Sequence, residues 1–456
     1  MPRHTKRLRD PVHGLIVFDM VDEVDRAAWK LIDTPEFQRL RRVKQLGFSE
    51  LVFPGATHNR FSHSIGVFHL ARQLIDVAKP LISGDRWSDQ HRKVALLSAL
   101  LHDLGHGPFS HAFEVSEQER LKAIPGAFRH HESWTAEIIK SKDGAVRAAL
   151  REVFLADGAM ADDIARLLTA TPQDIYGAVV SSSFDADRLD YLQRDKLMTG
   201  SGAGGIDFDW LKDNLRVAKV RGESEGSGDS TPLEVETFCF TEKASQAAEA
   251  FLLARYHLFS QVYYHKTTRG FERLLTAFLQ RLATLVRDSM IETSALPDNH
   301  PLVTYYSSDT PTLREYMKLD DTVVWAALEA SCSAKDDHLR TLSLRLRDRK
   351  PMKPIEINVL SPTKLDRARR KKIDELMEKD DGKTIFVDRP KLSVYADHRR
   401  EAVPLHKRVH IQRNDKTVDD IAKLSGPIGS LKEPQEILRY YFLDESVRKT
   451  VSDIGG

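Results

Sequence analysis

Apolar residues recur at helical spacing along the first two thirds of the chain. Phe68, Leu70, Ala71, Leu74, Ile75 and Ala78 follow one such stripe, and Val94, Leu96, Leu97, Ala99, Leu100 and Leu101 form an almost wholly apolar second run. This periodicity dominates residues 21–286 and predicts a helical bundle. Two interruptions predict hairpins. Leu215-Arg216-Val217-Ala218-Lys219-Val220 and the run from Leu233 to Phe240 flank a Gly/Ser/Glu-rich stretch at 222–231, which reads as a mobile tip. Arg7-Leu8-Arg9 and Leu15-Ile16-Val17-Phe18 predict a shorter hairpin at the start.

The texture changes after residue 298. Residues 353–360, 384–387 and 408–413 look like short strands around a charged helical run at 364–379, which reads as a solvated helix face. The expectation is a mostly α protein, with a helical core over residues 1–298 and a smaller α+β lobe over 299–456 that supports oligomer contacts. No internal repeat is visible.

Length and composition narrow the class. A chain of 456 residues exceeds what one core usually serves, and 41% hydrophobic with 30% charged residues describes a globular protein. A net charge of +1 offers no global attraction to nucleic acid or membrane, although local basic clusters can bind phosphates. Cys239 and Cys332 form no CxxC pair, which fits a reducing compartment and excludes a zinc ribbon. The basic first ten residues have no apolar stretch behind them, and no run is long enough to span a bilayer. A cytoplasmic protein without membrane contact is expected.

Four islands carry chemistry: Arg60-Phe61-Ser62-His63, the run from His102-Asp103 through His106 to His111, Arg129-His130-His131-Glu132, and the run from Phe184 through Asp187 to Tyr191. Imidazole and carboxylate are the ligands that bind a divalent ion without thiolates. His102 and Asp103 adjoin at the end of an apolar helix, where an ion over the axis can accept both. Gly105, Gly107 and Pro108 then break the helix and let His106 and His111 turn into the same cavity. One such histidine could be a satisfied core group, but five in a short span are poorly explained that way. A divalent ion there polarises a phosphoryl oxygen and acidifies water. His106, His111 and His131 are the acid–base candidates, with His131 oriented by Glu132 or Glu114.

An ordered series of markers surrounds these islands. It comprises Asp10-Pro11-Val12-His13-Gly14, the run from Ile32 to Arg41, Lys44-Gln45-Leu46-Gly47, the run from Phe53 to His63, and the run from His102 to His111. In these residues the chain resembles the HD superfamily. It is most similar to the deoxynucleoside triphosphate triphosphohydrolases typified by the SAM-and-HD-domain restriction factor and its bacterial dGTPase-like relatives. The likeness runs over about residues 10–266.

The resemblance implies that His63, His102, Asp103 and Asp187 hold a divalent Mn, Fe, Mg or Zn ion and that Arg60 holds the α-phosphate. It implies deoxyribose contacts from Gln45 and Leu46, and sugar recognition by Tyr191, Asp195 and Tyr263. Arg188, Arg255 and Lys266 would complete a triphosphate cradle. Tyr263 also fits an apolar stripe with Phe259 and Val262, so helix packing is its other reading. The implied reaction releases deoxynucleoside and inorganic triphosphate from a dNTP.

Kinship further implies a homotetramer, activation by GTP or a dNTP at a site that includes Asp33 and Arg41, and a role in dNTP pool control or phage defence. Arg9, Phe259 and Glu114 depart from the family pattern, and no SAM domain is expected before the core. The rival readings are an HD-type nuclease or nucleotide phosphatase, and a non-catalytic nucleotide-sensing assembly module. A nuclease should offer an open basic groove with stacking aromatics, which the sequence does not show clearly.

Overall fold

The computed structural model describes residues 4–82, 86–155, 158–222, 233–380, 382–395 and 403–454. Strands β1 (Thr5–Asp10) and β2 (Gly14–Asp19) pair antiparallel from Thr5↔Asp19 to Asp10↔Gly14, so the expected first hairpin forms. Its turn is held by Asp10, whose Oδ1 accepts the Val12 and His13 amides at 2.9 and 3.0 Å. Gly14 closes it at φ 69°, a conformation that glycine adopts without cost. Ile16 and Phe18 point inward and are fully buried.

The helices that build the site are α1 (Arg60–Ala78), α2 (Asp89–Leu101), α3 (His111–Arg120), α4 (His131–Lys140) and α5 (Ala186–Thr199). Helix α1 is buried along most of its length, where Phe61, Ile65, Val67, Phe68, Leu70, Ala71, Leu74, Ile75 and Ala78 enter the core, and its polar residues Arg60, His63 and Ser64 are buried with them. The fold is mostly helical, as expected. Strands β3 (Leu215–Gly222) and β4 (Leu233–Thr241) form the second hairpin; of the tip expected at 222–231, Gly222 ends β3 and the rest lies outside the described residues.

Helices α6 (Ser245–Leu258) and α7 (Lys266–Arg287) follow, separated by one π-helical turn at Phe259–Tyr263. Helices α8 (Asp321–Ser331) and α9 (Asp337–Arg347) join α7 in a second core in which Leu275, Phe278 and Leu282 meet Leu328, Leu342 and Leu346. The later strands are β5 (Pro354–Ile357), β6 (Ile385–Asp388), β7 (His410–Gln412), β8 (Val418–Asp420) and β9 (Leu438–Phe442). Strand β9 lies between β5 and β6, antiparallel to both. Strand β7 instead runs parallel to β4 through Phe240↔Ile411, which extends the core hairpin into a four-stranded sheet closed by β8. The charged helix α10 (Lys364–Met377) buries only Ile373, consistent with a solvated face. Among the described residues no helix is long and apolar enough to cross a membrane.

Candidate active site

His63 enters from the first turn of α1, His102 and Asp103 from the end of α2, and Asp187 from the first turn of α5. Their polar atoms converge. His63 Nε2 lies 3.1 Å from Asp187 Oδ1 and 3.7 Å from Asp103 Oδ2, and His102 Nε2 lies 3.2 Å from Asp103 Oδ1 and 3.8 Å from Asp187 Oδ1. The two imidazoles meet edge to face at 72°.

Both Nε2 atoms are buried and neither makes a hydrogen bond, despite carboxylate oxygens so close. Their opposite nitrogens are engaged, His63 Nδ1 with Asp190 at 2.7 Å and His102 Nδ1 with the Ala99 carbonyl at 2.9 Å. Such contacts fix the tautomer that leaves Nε2 with a lone pair, the state a metal ligand needs. Burial alone would push the His63 imidazole down, yet Asp187, Asp190 and Asp103 outweigh it and favour positive charge at this nitrogen, which a bound cation would supply in place of a proton. Two orphaned imidazole nitrogens among carboxylates fit a divalent cation.

Arg60 is the fifth member, and it is buried. Its Nη1 donates to Asp103 Oδ2 at 2.5 Å and its Nε to Ser110 Oγ at 2.7 Å. Burial opposes ionisation of Asp103, but the Arg60 guanidinium, His102 and His106 prevail and hold the carboxyl well below its usual range.

A second histidine group adjoins the first. His106 Nε2 is 3.2 Å from Asp103 Oδ1, and its ring stacks on His131 at 3.8 Å and 23°. His111, its side chain 68% exposed, lies nearly perpendicular to both rings, at 83° to His106 and 72° to His131. Glu114 lies 3.2 Å from Nδ1 of both His111 and His131 and 3.0 Å from Nδ1 of His130, while Glu132 is 3.5 Å from His131. Burial disfavours a charged Glu114, but His111 and His131 overcome it and keep the carboxylate ionised. His106 is pushed well below the usual imidazole range by burial, then by Arg60 and His131. One nitrogen from each of His106, His111 and His131 lies within 4.8 Å of the others, so the group has the spacing of an ion site as well as imidazoles suited to proton transfer.

The glycines between the two groups are needed for close approach. A Cβ on Gly105 would stand 2.1 Å from the His131 carbonyl, and one on Gly107 would stand 2.6 Å from the Phe113 ring. Phe109 and Ser110 then take φ 53° and 54°, a strained left-handed pair for residues with side chains. Asp321 of α8 braces this turn by accepting the Phe109 amide at 2.6 Å and the Lys44 amide at 2.9 Å.

Asp321 is pushed up to about 7 by burial, against the lowering pull of those two amides and Lys44. An unfolded aspartate titrates near 4, so folding takes up a proton between about pH 4 and pH 7. Stability from this group therefore falls as pH rises through that window. Urea unfolding of the protein and of Asp321→Asn at pH 5.5 and pH 8 should show the native protein losing about 1–2 kcal/mol relative to the variant. Parallel profiles would mean that the carboxyl stays ionised throughout.

The sugar-contact candidates form a buried polar cluster. Asp195 Oδ1 is 2.8 Å from His58 Nε2, and Asp195 Oδ2 accepts the Tyr263 hydroxyl at 2.6 Å. Gln45 Oε1 and His58 Nδ1 are buried without hydrogen-bond partners, and the Gln45 amide donates to the His58 carbonyl at 3.1 Å. His58 was not foreseen; its place between the Phe53-to-His63 marker residues was the available signal. The π turn before α7 carries Tyr263 toward Asp195, so its hydroxyl has a polar role beyond packing. Leu46 is half-buried beside Gln45.

Among the cradle candidates, Arg255 donates to the Val394 carbonyl at 2.6 Å and lies 3.4 Å from the Tyr191 hydroxyl. Arg188 pairs with Asp185, which caps α5, and Lys266 is exposed at the start of α7. Asp33 and Arg41 are both exposed; Arg41 lies over the Phe61 ring at 3.5 Å and donates to Gln38.

The comparisons with known proteins agree with this arrangement. Residues 60–192 match the HD domain and residues 231–322 the HD associated region. The protein YwfO of Bacillus subtilis is 35% identical over 358 residues, 77% of this chain and 72% of that one. The deoxynucleoside triphosphate triphosphohydrolase SAMHD1 homolog of Dictyostelium discoideum is 31% identical over 284 residues, and this chain spans 48% of its length. The crystal structure of a phosphohydrolase from Bacteroides thetaiotaomicron superimposes with a TM-score of 0.72 at 25% identity, covering 96% of this chain and 100% of that one.

Proposed function

We propose that this chain, which belongs to the HD-domain family of phosphohydrolases, hydrolyses deoxynucleoside triphosphates to deoxynucleoside and inorganic triphosphate. The observation that carries the reading lies on α5. Asp187, Tyr191 and Asp195 follow one another at four-residue spacing, so they share one helix face that spans about 12 Å. At one end is the His/Asp centre with Arg60, and at the other the buried cluster of Asp195, Tyr263, His58 and Gln45. A phosphate group at the first and a sugar hydroxyl at the second describe a nucleotide, and the Dictyostelium relative is named for this reaction.

His63, His102, Asp103 and Asp187 would hold the divalent ion, which supplies Lewis acidity to a phosphoryl oxygen. The chain's own groups do the rest. Arg60, held by Asp103 and Ser110, presents a fixed cation to the phosphate beside the centre. Among His106, His111 and His131, one would accept the proton of the attacking water. His111 and His131, oriented by Glu114, are placed to return a proton to the departing 5′-oxygen. Arg188, Arg255 and Lys266 flank the remaining phosphates, while Leu46 and Tyr191 crowd the sugar. A homotetramer that binds GTP or a dNTP through Asp33 and Arg41 belongs to the same proposal.

Incubation with each dNTP and Mn²⁺ or Mg²⁺, singly and in pairs, should yield inorganic triphosphate and deoxynucleoside by ion-exchange chromatography. Acceleration of one nucleotide by another would report the regulatory site. Release of orthophosphate or of nucleoside monophosphate alone would defeat the reaction proposed.

A further inference from the structure

We infer that the tip of the N-terminal hairpin is part of the metal centre's support, so that Asp10 and His13 set the affinity of the site for a divalent ion. The inference rests on the reading of His63 as a ligand. It begins with Asp190, which the sequence placed among the chemical islands without a role. The Asp190 side chain is fully buried and both its oxygens are saturated. Oδ2 binds His63 Nδ1 at 2.7 Å and Arg194 Nε at 2.8 Å, while Oδ1 binds His13 Nε2 at 2.7 Å and Arg194 Nη2 at 2.9 Å. Arg194 spends its remaining reach on the hairpin, donating from Nη1 to Asp10 Oδ2 at 2.8 Å.

The hairpin turn thus supplies two of the groups that fix this carboxylate. Asp10 does double service, since its other oxygen accepts the Val12 and His13 amides and so holds the His13 backbone in place. The carboxylate in turn fixes the ring plane and tautomer of His63, and a ligand's outer partner controls both its direction and its basicity. With His13 gone, Oδ1 keeps one partner, and the carboxylate can rotate about its Cβ–Cγ bond and carry Oδ2 away from His63 Nδ1. With Asp10 neutralised, Arg194 loses its second anion and its fork is no longer held square to Asp190.

The hairpin does not depend on these contacts for its own docking. Ile16 and Phe18 are fully buried, and Phe18 stacks on Phe68 of α1 with ring centroids 5.8 Å apart. A change at the tip therefore acts on the carboxylate rather than by releasing the strands.

The test is Co²⁺ binding to the full-length, metal-stripped chain, followed by the visible d–d absorption of the ion and by thermal unfolding before metal is added. His13→Ala and Asp10→Asn should each weaken Co²⁺ binding about tenfold, while His13→Gln, which can still donate to Oδ1, stays within about threefold of the native chain. The unfolding midpoints of the metal-free variants should differ from the native value by far less than the affinities do. The inference is overturned if His13→Ala and Asp10→Asn bind Co²⁺ as the native chain does while His63→Ala has lost it. If His63→Ala binds like the native chain, the metal reading fails first and takes this inference with it. Should His13→Ala not fold, Asp10→Asn decides alone.

Discussion

An Asp187→Ala variant is expected to lose about a thousandfold or more in the rate of nucleotide hydrolysis while keeping a native unfolding profile. The rate follows from chemistry. Loss of a ligand that organises the ion removes several kcal/mol of transition-state stabilisation, and each 1.36 kcal/mol is tenfold in rate. The intact fold follows from position, because the Asp187 side chain is 35% exposed and borders the opening of the site.

The double change His102→Ala, Asp103→Ala should be equally inactive and folded as a helical protein, but less stable. Asp103 is the buried partner of Arg60, both about 5% exposed, and a buried cation left alone costs about 3–5 kcal/mol. Comparing the two variants separates catalysis from folding at one site. Single-turnover assays and urea unfolding provide the readouts. Residual activity in Asp187→Ala within about tenfold of the native enzyme would show that the ion is held without this carboxylate.

Much of this centre was legible because ligand chemistry restricts the residue types. Histidine and aspartate in a short, glycine-broken run have few other uses, so His102, Asp103 and the His106–His111–His131 group stood out, whereas the choice of His63 and Asp187 to complete the ligand set rested on the family resemblance. The two hairpins and the later strands were legible for a different reason, since alternation and turn residues are local signals. The parallel pairing of β4 with β7 carries no such signal, because the registration of Phe240 with Ile411 depends on how the intervening helices pack.

The supporting groups were hidden in the same way. Asp190 meets His13 across 177 positions, and Asp321 meets Phe109 across 212. Each is an ordinary charged residue until the fold buries it. One local hint existed for Asp190, whose four-residue spacing to Arg194 on α5 marks a helical ion pair. That spacing is common on solvated helices, so burial, which sequence does not display, was the missing fact.

Burial of that pair leads to the second large effect, at a glycine that has no chemistry of its own. Gly66 lies inside α1, where alanine would ordinarily add up to about 1 kcal/mol to a helix. Here a Cβ would sit 1.9 Å from Asp190 Oδ1 and 2.6 Å from Arg194 Nη2, far inside contact distance. Neither group can swing into water, because both are buried and each is committed to several partners. Either α1 and α5 separate, or the Asp190 carboxylate leaves His63. Disrupting such a buried ionic cluster costs about 3–5 kcal/mol, so Gly66→Ala should lower the unfolding free energy by about 2–4 kcal/mol after the helix gain is set against it. Gly426→Ala is the control, since nothing lies within 4 Å of the added carbon. The displaced carboxylate also releases His63 Nδ1, so Gly66→Ala should bind Co²⁺ more weakly than the loss of stability alone explains. A Gly66→Ala protein that unfolds at the native urea concentration and binds Co²⁺ normally would mean that α1 and α5 are not wedged together at this point.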